Sequence, residues 1–186
     1  MGELAESPRL FHDLYHVDTW CLKNWDYASL GVYFVTICTR SREFCFGEIT
    51  NFKLCLSEIG EMASRYWSMI PEHFSFVTLD SFVVMPNHLH GIIIIKDREG
   101  NKPEKTGGIT IKHNPRLNPF LLSKIIHWYK GRTAFEINIF RPDLEFVWQN
   151  RFYDRVIRDQ QELERIRQYI VDNPIVWGLG KERNII

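Results

Sequence analysis

The feature that most constrains the fold is an apolar run from Gly91 to Ile95, which contains four consecutive isoleucines. β-Branched side chains favour strands, and an uninterrupted apolar run of this length is typical of a central strand that is buried on both faces. The run is far shorter than the roughly 20 residues that a membrane-spanning helix needs. The chain is therefore expected to build its core around this strand, and no membrane is expected as a partner.

Strands and one helix are predicted before this run. Residues 31–39 are rich in β-branched and aromatic residues and alternate partly, which predicts a strand. Apolar residues then recur at helical intervals from Asn51 onwards, and Pro71 is expected to end that helix. Residues 76–79 and 82–85 predict a strand in two pieces.

A second helix and a further strand are predicted after the run. Asn118 can cap a helix that has Pro119 in its first turn. We expect this helix to run to about Lys130, with Gly131 as its C-terminal cap. Residues 135–139 are expected to form another strand.

The last helix has the clearest boundaries. Asp159 can cap its start, with Glu162 three residues later, and Pro174 is expected to end it. Its apolar stripe consists of Leu163, Ile166 and Ile170.

The order of elements, β-α-β-β-α-β-α, predicts an α+β sandwich in which helices pack on one face of an antiparallel sheet. We expect an N-terminal arm over residues 1–28, a single domain over residues 29–178 and a short C-terminal tail over residues 179–186. Residues 97–118, rich in Lys, Gly, Asn and Pro, are expected to form a long exposed loop.

Charge alone does not point to a nucleic-acid partner. The chain has 23 basic and 23 acidic residues, so its formal net charge is zero. Basic residues cluster only locally, with nine basic against three acidic residues between Lys96 and Arg132. Such a segment is also typical of a solvated loop and helix face, and it becomes evidence for DNA binding only beside other signals.

The cysteines favour a reducing compartment. Cys21, Cys38, Cys45 and Cys55 include no pair at the C-x-x-C spacing of metal and redox sites. The N-terminal residues also lack the basic and apolar regions of a signal peptide. A cytoplasmic protein is expected.

His88 and His90 form a candidate metal site. Side chains two residues apart in a strand point to the same face, and their Cα atoms lie about 6.5–7 Å apart. Two imidazoles at this spacing can bind one ion, although His-x-His alone is a weak signal and two polar residues at a strand opening would give the same pattern.

Tyr169 and Asn173 lie one turn apart on the last helix, at the border of its apolar stripe. A tyrosine hydroxyl can attack a phosphodiester that a divalent ion polarises, and two imidazoles with an amide oxygen would leave open positions on such an ion. Tyr153 and Tyr129 are rival nucleophiles. From spacing alone, Tyr169 can equally be a core residue and Asn173 a helix end.

Four segments together resemble the REP-associated tyrosine transposases, single-tyrosine relatives of the insertion-sequence-200-like enzymes. Residues 84–92 (VMPNHLHGI) resemble the His-hydrophobic-His motif of that family, and residues 33–39 (YFVTICT) its first strand. Residues 148–154 (WQNRFYD) and 169–174 (YIVDNP) resemble two later motifs, the second on the helix that carries the nucleophile. The resemblance covers most of the chain.

This resemblance implies a ferredoxin-like sheet, with magnesium or manganese at His88 and His90 and with Tyr169 as the nucleophile. It implies Asn173 as a third ligand. The substrate would be single-stranded or hairpin DNA, and cleavage would leave a 5′-phosphotyrosine and a free 3′-hydroxyl. Members of the wider group act as monomers or as homodimers that share active sites, and a monomer is the first expectation here. A bacterial protein associated with the nucleoid when bound to DNA is implied.

Phosphate contacts require basic side chains, and single-stranded bases stack on aromatic rings. The candidate DNA-binding residues are Arg40, Arg42, Lys124, Lys130, Arg132, Trp148 and Arg151, with Trp128 and Tyr153 as further stacking candidates.

Two other functions remain open at this point. Strand-borne His-x-His also suits zinc or iron enzymes unrelated to DNA, which would need a third His, Asp or Glu near the pair. The candidates for that third ligand are His73, His113 and His127. The chain can also be a domesticated DNA-binding protein that no longer cleaves.

Overall fold

The structure is a computed structural model that describes residues 31–96 and 119–180. The predicted N-terminal arm, the predicted loop at 97–118 and most of the predicted tail lie outside the described residues. The described strands are β1 (Gly31–Cys38), β2 (Gly47–Thr50), β3 (Lys53–Leu56), β4 (Val77–Met85), β5 (His88–Ile95) and β6 (Tyr153–Val156). The described helices are α1 (Glu58–Ser68), α2 (Ile70–His73), α3 (Pro119–Phe140) and α4 (Gln160–Gly178).

Four strands form one antiparallel sheet in the order β4-β5-β1-β6, and β2 pairs with β3 in a separate hairpin. The predicted central strand is confirmed, because β5 lies between β4 and β1 and all eight of its residues are buried. The register places Thr36 of β1 opposite His90 of β5. Without the hairpin and α2, the order β1-α1-β4-β5-α3-β6 is the βαββαβ pattern of a ferredoxin-like sandwich.

Helices cover both faces of the sheet. On one face Tyr33, Val35 and Ile93 pack with residues of α1 and α3, where Trp67 lies directly against Gly91. No larger residue fits at position 91, because a Cβ there would overlap the Trp67 ring.

The opposite face forms a second apolar cluster with α4. This cluster contains Val32, Phe34, Met85, Ile92, Ile94, Leu163, Ile166 and Ile170. The predicted α+β class and antiparallel sheet are confirmed, and so is the apolar stripe of the last helix. The expectation that helices pack on one face holds for α1 and α3 but is wrong for α4, because alternate residues of β1 and β5 are apolar on both faces.

Helix α1 begins later than the apolar spacing predicts. Ser57 caps it, since the Ser57 hydroxyl accepts a hydrogen bond from the Gly60 amide and donates one to the Cys45 carbonyl. Residues 53–56, predicted as helix, instead form β3. The apolar residues there belong to a hairpin pattern that helical spacing does not distinguish.

Two helices continue past the residues that were expected to end them. Helix α3 passes through Gly131, so the strand predicted at 135–139 is wrong. Its buried residues Tyr129, Thr133 and Ile137 follow one another at helical spacing, and a glycine inside a helix costs only about 1 kcal/mol. Helix α4 likewise continues beyond Pro174 to Gly178. Proline removes one backbone hydrogen bond, and the packing of the helix on the sheet compensates for that loss.

Of the helices described, none combines the length and the apolar character needed to cross a membrane.

Candidate metal and nucleophile site

His88 and His90 open β5 and point to the face of the sheet that α4 covers, as Ile92 and Ile94 do further along the strand. Both side chains are buried, and their Nε2 atoms lie 3.0 Å apart. The predicted same-face pair is therefore present, with both rings converging on one point.

Asn87 fixes the orientation of His88. The Asn87 side-chain amide donates a hydrogen bond to the Arg42 carbonyl, which leaves its oxygen facing His88 Nδ1 at 2.7 Å. An amide oxygen only accepts hydrogen bonds, so Nδ1 must carry the proton of a neutral His88. Nε2 then presents a lone pair to the site, as a metal ligand must.

Thr36 and Phe34 of β1 hold His90. The Thr36 hydroxyl lies 2.8 Å from His90 Nδ1, directly across the strand pair. The Phe34 ring stacks on the imidazole with a centroid separation of 5.3 Å. When Nδ1 donates to the hydroxyl, Nε2 of His90 is free to bind an ion as well.

Both imidazoles are held neutral. Burial, with a smaller contribution from the nearby charge of Arg42, lowers the pKa of His88 to about 3. Burial also lowers the pKa of His90, with smaller contributions from His88 and Arg42. Neutral imidazole is the form that binds metal ions, so the pair does not need to lose a proton first.

Tyr169 of α4 reaches the same point. Its hydroxyl lies 3.2 Å from His90 Nε2, and its ring meets the edge of Phe34. The side chain is half-buried, so the hydroxyl lies where the buried pair approaches the surface.

An ion pair fastens α4 to the sheet. Arg167 binds Asp80 of β4 through two hydrogen bonds, from Nε to Oδ1 at 2.9 Å and from Nη2 to Oδ2 at 2.6 Å. Asp80 lies where the β4–β5 register shifts, and its side chain is only 10% exposed. Burial alone would raise the pKa of Asp80, but the bonds from Arg167 and Ser81 outweigh it and lower that pKa. Because Arg167 is two residues from Tyr169, this pair helps to hold against the sheet the turn of α4 that carries the tyrosine.

Asn173 and Trp177 continue the same side of α4. Asn173 is buried one turn beyond Tyr169, and its side chain makes no hydrogen bond to another described residue. The Trp177 ring packs against His88 at 5.6 Å. The predicted third ligand thus lies on the helix that faces the pair, and its role stays a prediction.

The two histidines suit a divalent ion. Two ligand atoms about 2.1 Å from an octahedral ion, in adjacent positions, lie about 3.0 Å apart, which matches the Nε2–Nε2 separation. Two facing lone pairs also repel each other unless a proton or cation lies between them. Among residues 31–96 and 119–180, no further His, Cys, Asp or Glu completes a cluster of three, so a third protein ligand from this region would have to be an amide or hydroxyl.

This result weakens the alternative of an unrelated zinc or iron enzyme. His73 stacks on Trp128 beside α3, and His127 is exposed on α3, so both lie on the other side of the sheet. His113 lies outside the described residues.

The predicted DNA-binding residues do not converge on one place. Arg40 and Arg42 are exposed in the turn after β1, and the Arg42 carbonyl bonds to Asn87 beside His88. Three others are on α3: Lys124 is exposed, Lys130 donates to the carbonyls of Gln149 and Asn150, and Arg132 pairs with Glu136 and packs over Tyr66. Arg151 is exposed before β6.

Burial excludes one predicted stacking residue, Trp148, and one rival nucleophile, Tyr129. Trp148 is 4% exposed and packs against Phe46, Tyr129 and Phe146, so it offers no face to a base. Tyr129 is fully buried, its hydroxyl donates to the Ala63 carbonyl, and burial raises its pKa, which removes it as a rival nucleophile. Tyr153 is half-buried on β6 opposite Thr36 and remains a rival.

Sequence reasoning missed the residues that support the site: Thr36, Asp80, Asn87, Arg167 and Trp177. Asn87 and Thr36 had a local signal, since they lie in the quoted motifs at residues 84–92 and 33–39. The others act through contacts between distant parts of the chain, such as the 87 residues that separate Asp80 from Arg167.

Comparison with known proteins adds three similarities. An uncharacterized protein of Haemophilus influenzae is 34% identical over 166 residues, covering 88% of this chain and 91% of the relative. A second protein of that organism, named "Putative REP-associated tyrosine transposase", is 24% identical over 153 residues, covering 82% of this chain and 75% of the relative. No protein-family model matches the chain.

Among solved structures, a REP-associated tyrosine transposase bound to a REP hairpin superposes with a TM-score of 0.52 and 18% identity. The match covers 80% of this chain and 68% of that one. This similarity shows that the two chains share a fold.

Proposed function

We propose that the chain is a REP-associated tyrosine transposase, like the relative and the solved structure that it resembles, and that it cleaves and rejoins single-stranded DNA through a covalent bond to Tyr169. One observation carries the proposal: the Tyr169 hydroxyl lies 3.2 Å from Nε2 of His90, which in turn lies 3.0 Å from Nε2 of His88. A nucleophile and two metal-type ligands therefore meet at one point.

The reaction is a transesterification. The Tyr169 oxygen forms a bond to phosphorus, and the bond from phosphorus to the 3′ oxygen of the preceding nucleotide breaks. The phenol proton is released to solvent and the leaving oxygen takes one up, which gives a free 3′-hydroxyl and a 5′-phosphotyrosine. The diester is preserved on the enzyme, so a 3′-hydroxyl can later attack it and restore the DNA without an external energy source.

His88 and His90, with Asn173 as the third candidate, would hold a magnesium or manganese ion. The bound ion would supply charge stabilisation at the phosphate oxygens and would orient the scissile bond. Asn87 fixes the proton of His88 on Nδ1, Thr36 holds the His90 ring through its Nδ1, and the ion pair between Arg167 and Asp80 holds against the sheet the part of α4 that carries Tyr169.

Single-stranded DNA next to a hairpin is the proposed substrate. Its support is the family and the fold shared with a transposase that was solved bound to a REP hairpin. Exposed Arg42, whose carbonyl bonds to Asn87 beside His88, and Arg40 in the same turn suit the phosphates that flank the scissile bond.

We propose that one chain is sufficient for cleavage. The tyrosine and both histidines that meet at the site belong to the same chain, so no exchange of helices between subunits is needed to assemble it. A monomer is therefore the simplest active form.

Covalent trapping tests the proposal. The protein is mixed with a pool of labelled single-stranded hairpin DNA and manganese, denatured, and examined for a labelled protein band. The parent should form the adduct and Tyr169→Phe should not, because the ring packing is retained and only the nucleophilic oxygen is removed. Tyr153→Phe is the matched control and should retain the adduct.

An adduct with Tyr169→Phe that is lost with Tyr153→Phe would move the nucleophile to β6. DNA binding without an adduct in any variant would instead favour a domesticated binding protein that has lost cleavage.

A further inference from the structure

Phe44 is the most exposed large apolar side chain of the described part of the chain, at 69%. It follows the Arg40–Arg42 turn and precedes β2. An exposed phenylalanine by itself needs no explanation, but the surroundings of this one are specific.

The backbone holds Phe44 in place from both sides. The Glu43 amide donates to the Arg40 carbonyl, and the amides of Cys45 and Phe46 both donate to the Pro86 carbonyl. Thr39 ties the same turn to Asn87, since its amide and its hydroxyl both lie 3.0 Å from the Asn87 carbonyl. Phe44 is therefore presented from a rigid segment that is fastened to the start of β5, where the histidines lie.

A series of rings leads from Phe44 to the site. The edge of Phe44 meets Trp177 at a centroid separation of 5.9 Å, and Trp177 packs against His88 at 5.6 Å. Two ring contacts thus connect an exposed aromatic face to a candidate metal ligand.

Positive charge flanks this aromatic surface. Arg40 and Arg42 are exposed in the turn that precedes Phe44, and the Arg42 carbonyl accepts a hydrogen bond from the side chain of Asn87, the residue next to His88. An exposed ring beside guanidinium groups suits a nucleotide, whose base stacks while its phosphate pairs with arginine. A purely apolar partner would leave these charges without partners.

We propose that Phe44, supported from behind by Trp177, is a stacking platform for a base of single-stranded DNA next to the scissile phosphate. The inference rests on the proposed function and adds to it a place for a nucleotide that flanks the reacting bond. Stacking accepts any base, so the platform would position the strand and leave sequence discrimination to other contacts.

Binding to two related probes tests the platform. Fluorescence anisotropy is measured with labelled oligothymidine and with an abasic oligomer of equal length, which carries the same phosphates but no bases. Phe44→Ala should weaken oligothymidine binding about fivefold or more, the usual effect of losing one stacked base, and should leave binding of the abasic oligomer unchanged. Phe44→Tyr, which keeps the ring, should retain the parent's affinity for both probes.

Phe135→Ala is the matched control, because Phe135 is similarly exposed at 59% but lies on α3, on the other side of the sheet. It should bind both probes as the parent does. Arg42→Gln should weaken both probes, since it removes a phosphate contact.

Equal affinity of the parent and Phe44→Ala for oligothymidine would overturn the platform, whatever the adduct assay shows. So would a change of oligomeric state in Phe44→Ala without a change in DNA affinity, which would assign the surface to a second copy of the chain. A parent that binds neither probe, and forms no adduct with hairpin DNA, would overturn the proposed function together with the platform.

Discussion

The two faces of the sheet are stabilised differently. The face under α1 and α3 is an extended apolar cluster in which the buried Thr133 bonds to a carbonyl of its own helix. The face under α4 has a smaller apolar cluster and carries the buried polar residues Asp80, His88, His90 and Asn173. Burying polar groups lowers the free energy of unfolding unless they find partners, so the second face depends on the hydrogen bonds that Asp80 and the two histidines make. The two faces should therefore respond differently to substitution.

The largest expected effect is on the chemistry of the α4 face. His88→Ala should abolish manganese-dependent adduct formation, because a single imidazole cannot hold the ion in place. DNA binding should remain largely intact, since the phosphate contacts are elsewhere. A manganese titration of adduct yield measures the loss of chemistry, and the DNA affinity of the same variant measures whether binding is retained.

Asn173→Ala should weaken metal-dependent cleavage less than His88→Ala does, because an amide oxygen is the weaker of the proposed ligands. If His88→Ala cleaved DNA at the same rate as the parent, His88 would not be a metal ligand. An unchanged manganese requirement in Asn173→Ala would remove only Asn173 from the site.

A matched pair of isoleucines compares the faces directly. Ile126 on α3 and Ile166 on α4 are both buried, at 0% and 3% exposure. Replacing either with alanine should lower the free energy of unfolding by about 2–5 kcal/mol, as such core truncations do. The rate of adduct formation, measured where both variants are folded, should fall only in Ile166→Ala, because α4 carries the nucleophile. A comparable loss in Ile126→Ala would show that the faces are not independent.

The ion pair between Arg167 and Asp80 holds α4 on the sheet in addition to the small apolar cluster there. Asp80→Asn should lower the free energy of unfolding by about 3 kcal/mol, the low end for a broken buried pair, because Arg167 keeps its second bond to Glu164. Denaturant unfolding of the parent and the variant measures the difference.

The sign of its pH dependence follows from the lowered pKa of Asp80. A carboxylate whose pKa is lower in the folded state stabilises the fold above its unfolded pKa, and this contribution is lost as the pH falls through the folded value. The gap between the parent and Asp80→Asn should thus be largest near neutral pH and should close in acid. A gap that is constant with pH would mean that the carboxylate charge does not contribute.

Local patterns predicted the parts of the fold that local physics decides. The isoleucine run required a strand buried on both faces, and the spacing of Leu163, Ile166 and Ile170 required an amphipathic helix. The boundaries failed where packing overrides local preference: Gly131 and Pro174 would end isolated helices, but here both lie inside helices that the core stabilises. Strand β3 was missed because Leu54 also fits a helical spacing with Ile59 and Met62.

The same division applies to the site. His88, His90 and Tyr169 were identified from spacing and motif, and the structure brings them together. The ion pair between Asp80 and Arg167 was not, because its partners lie 87 residues apart and neither is in a motif. Trp148 was misassigned because an aromatic residue in a motif suits a binding surface and a core equally well until its burial is known.

The smallest expected effect concerns the residue that orients His88. Asn87→Leu keeps the size of the side chain but removes the oxygen that accepts the Nδ1 proton, so the ring can turn or change tautomer. Loss of such an outer contact typically weakens metal binding by roughly 10–100-fold. Manganese affinity, measured by calorimetry on the protein without DNA, reports this loss independently of cleavage.

Asn87→Asp separates the two hydrogen bonds of this side chain. A carboxylate still accepts from His88 Nδ1, but it can no longer donate to the Arg42 carbonyl. If Asn87 acts by fixing the imidazole, Asn87→Asp should retain manganese affinity while Asn87→Leu loses it. If Asn87 acts mainly by holding the Arg40–Arg42 turn, both variants should lose affinity alike, because both lack the amide donor. The α4 face would then depend on the turn, and through it on the segment that presents Phe44, more than on the orientation of one ring.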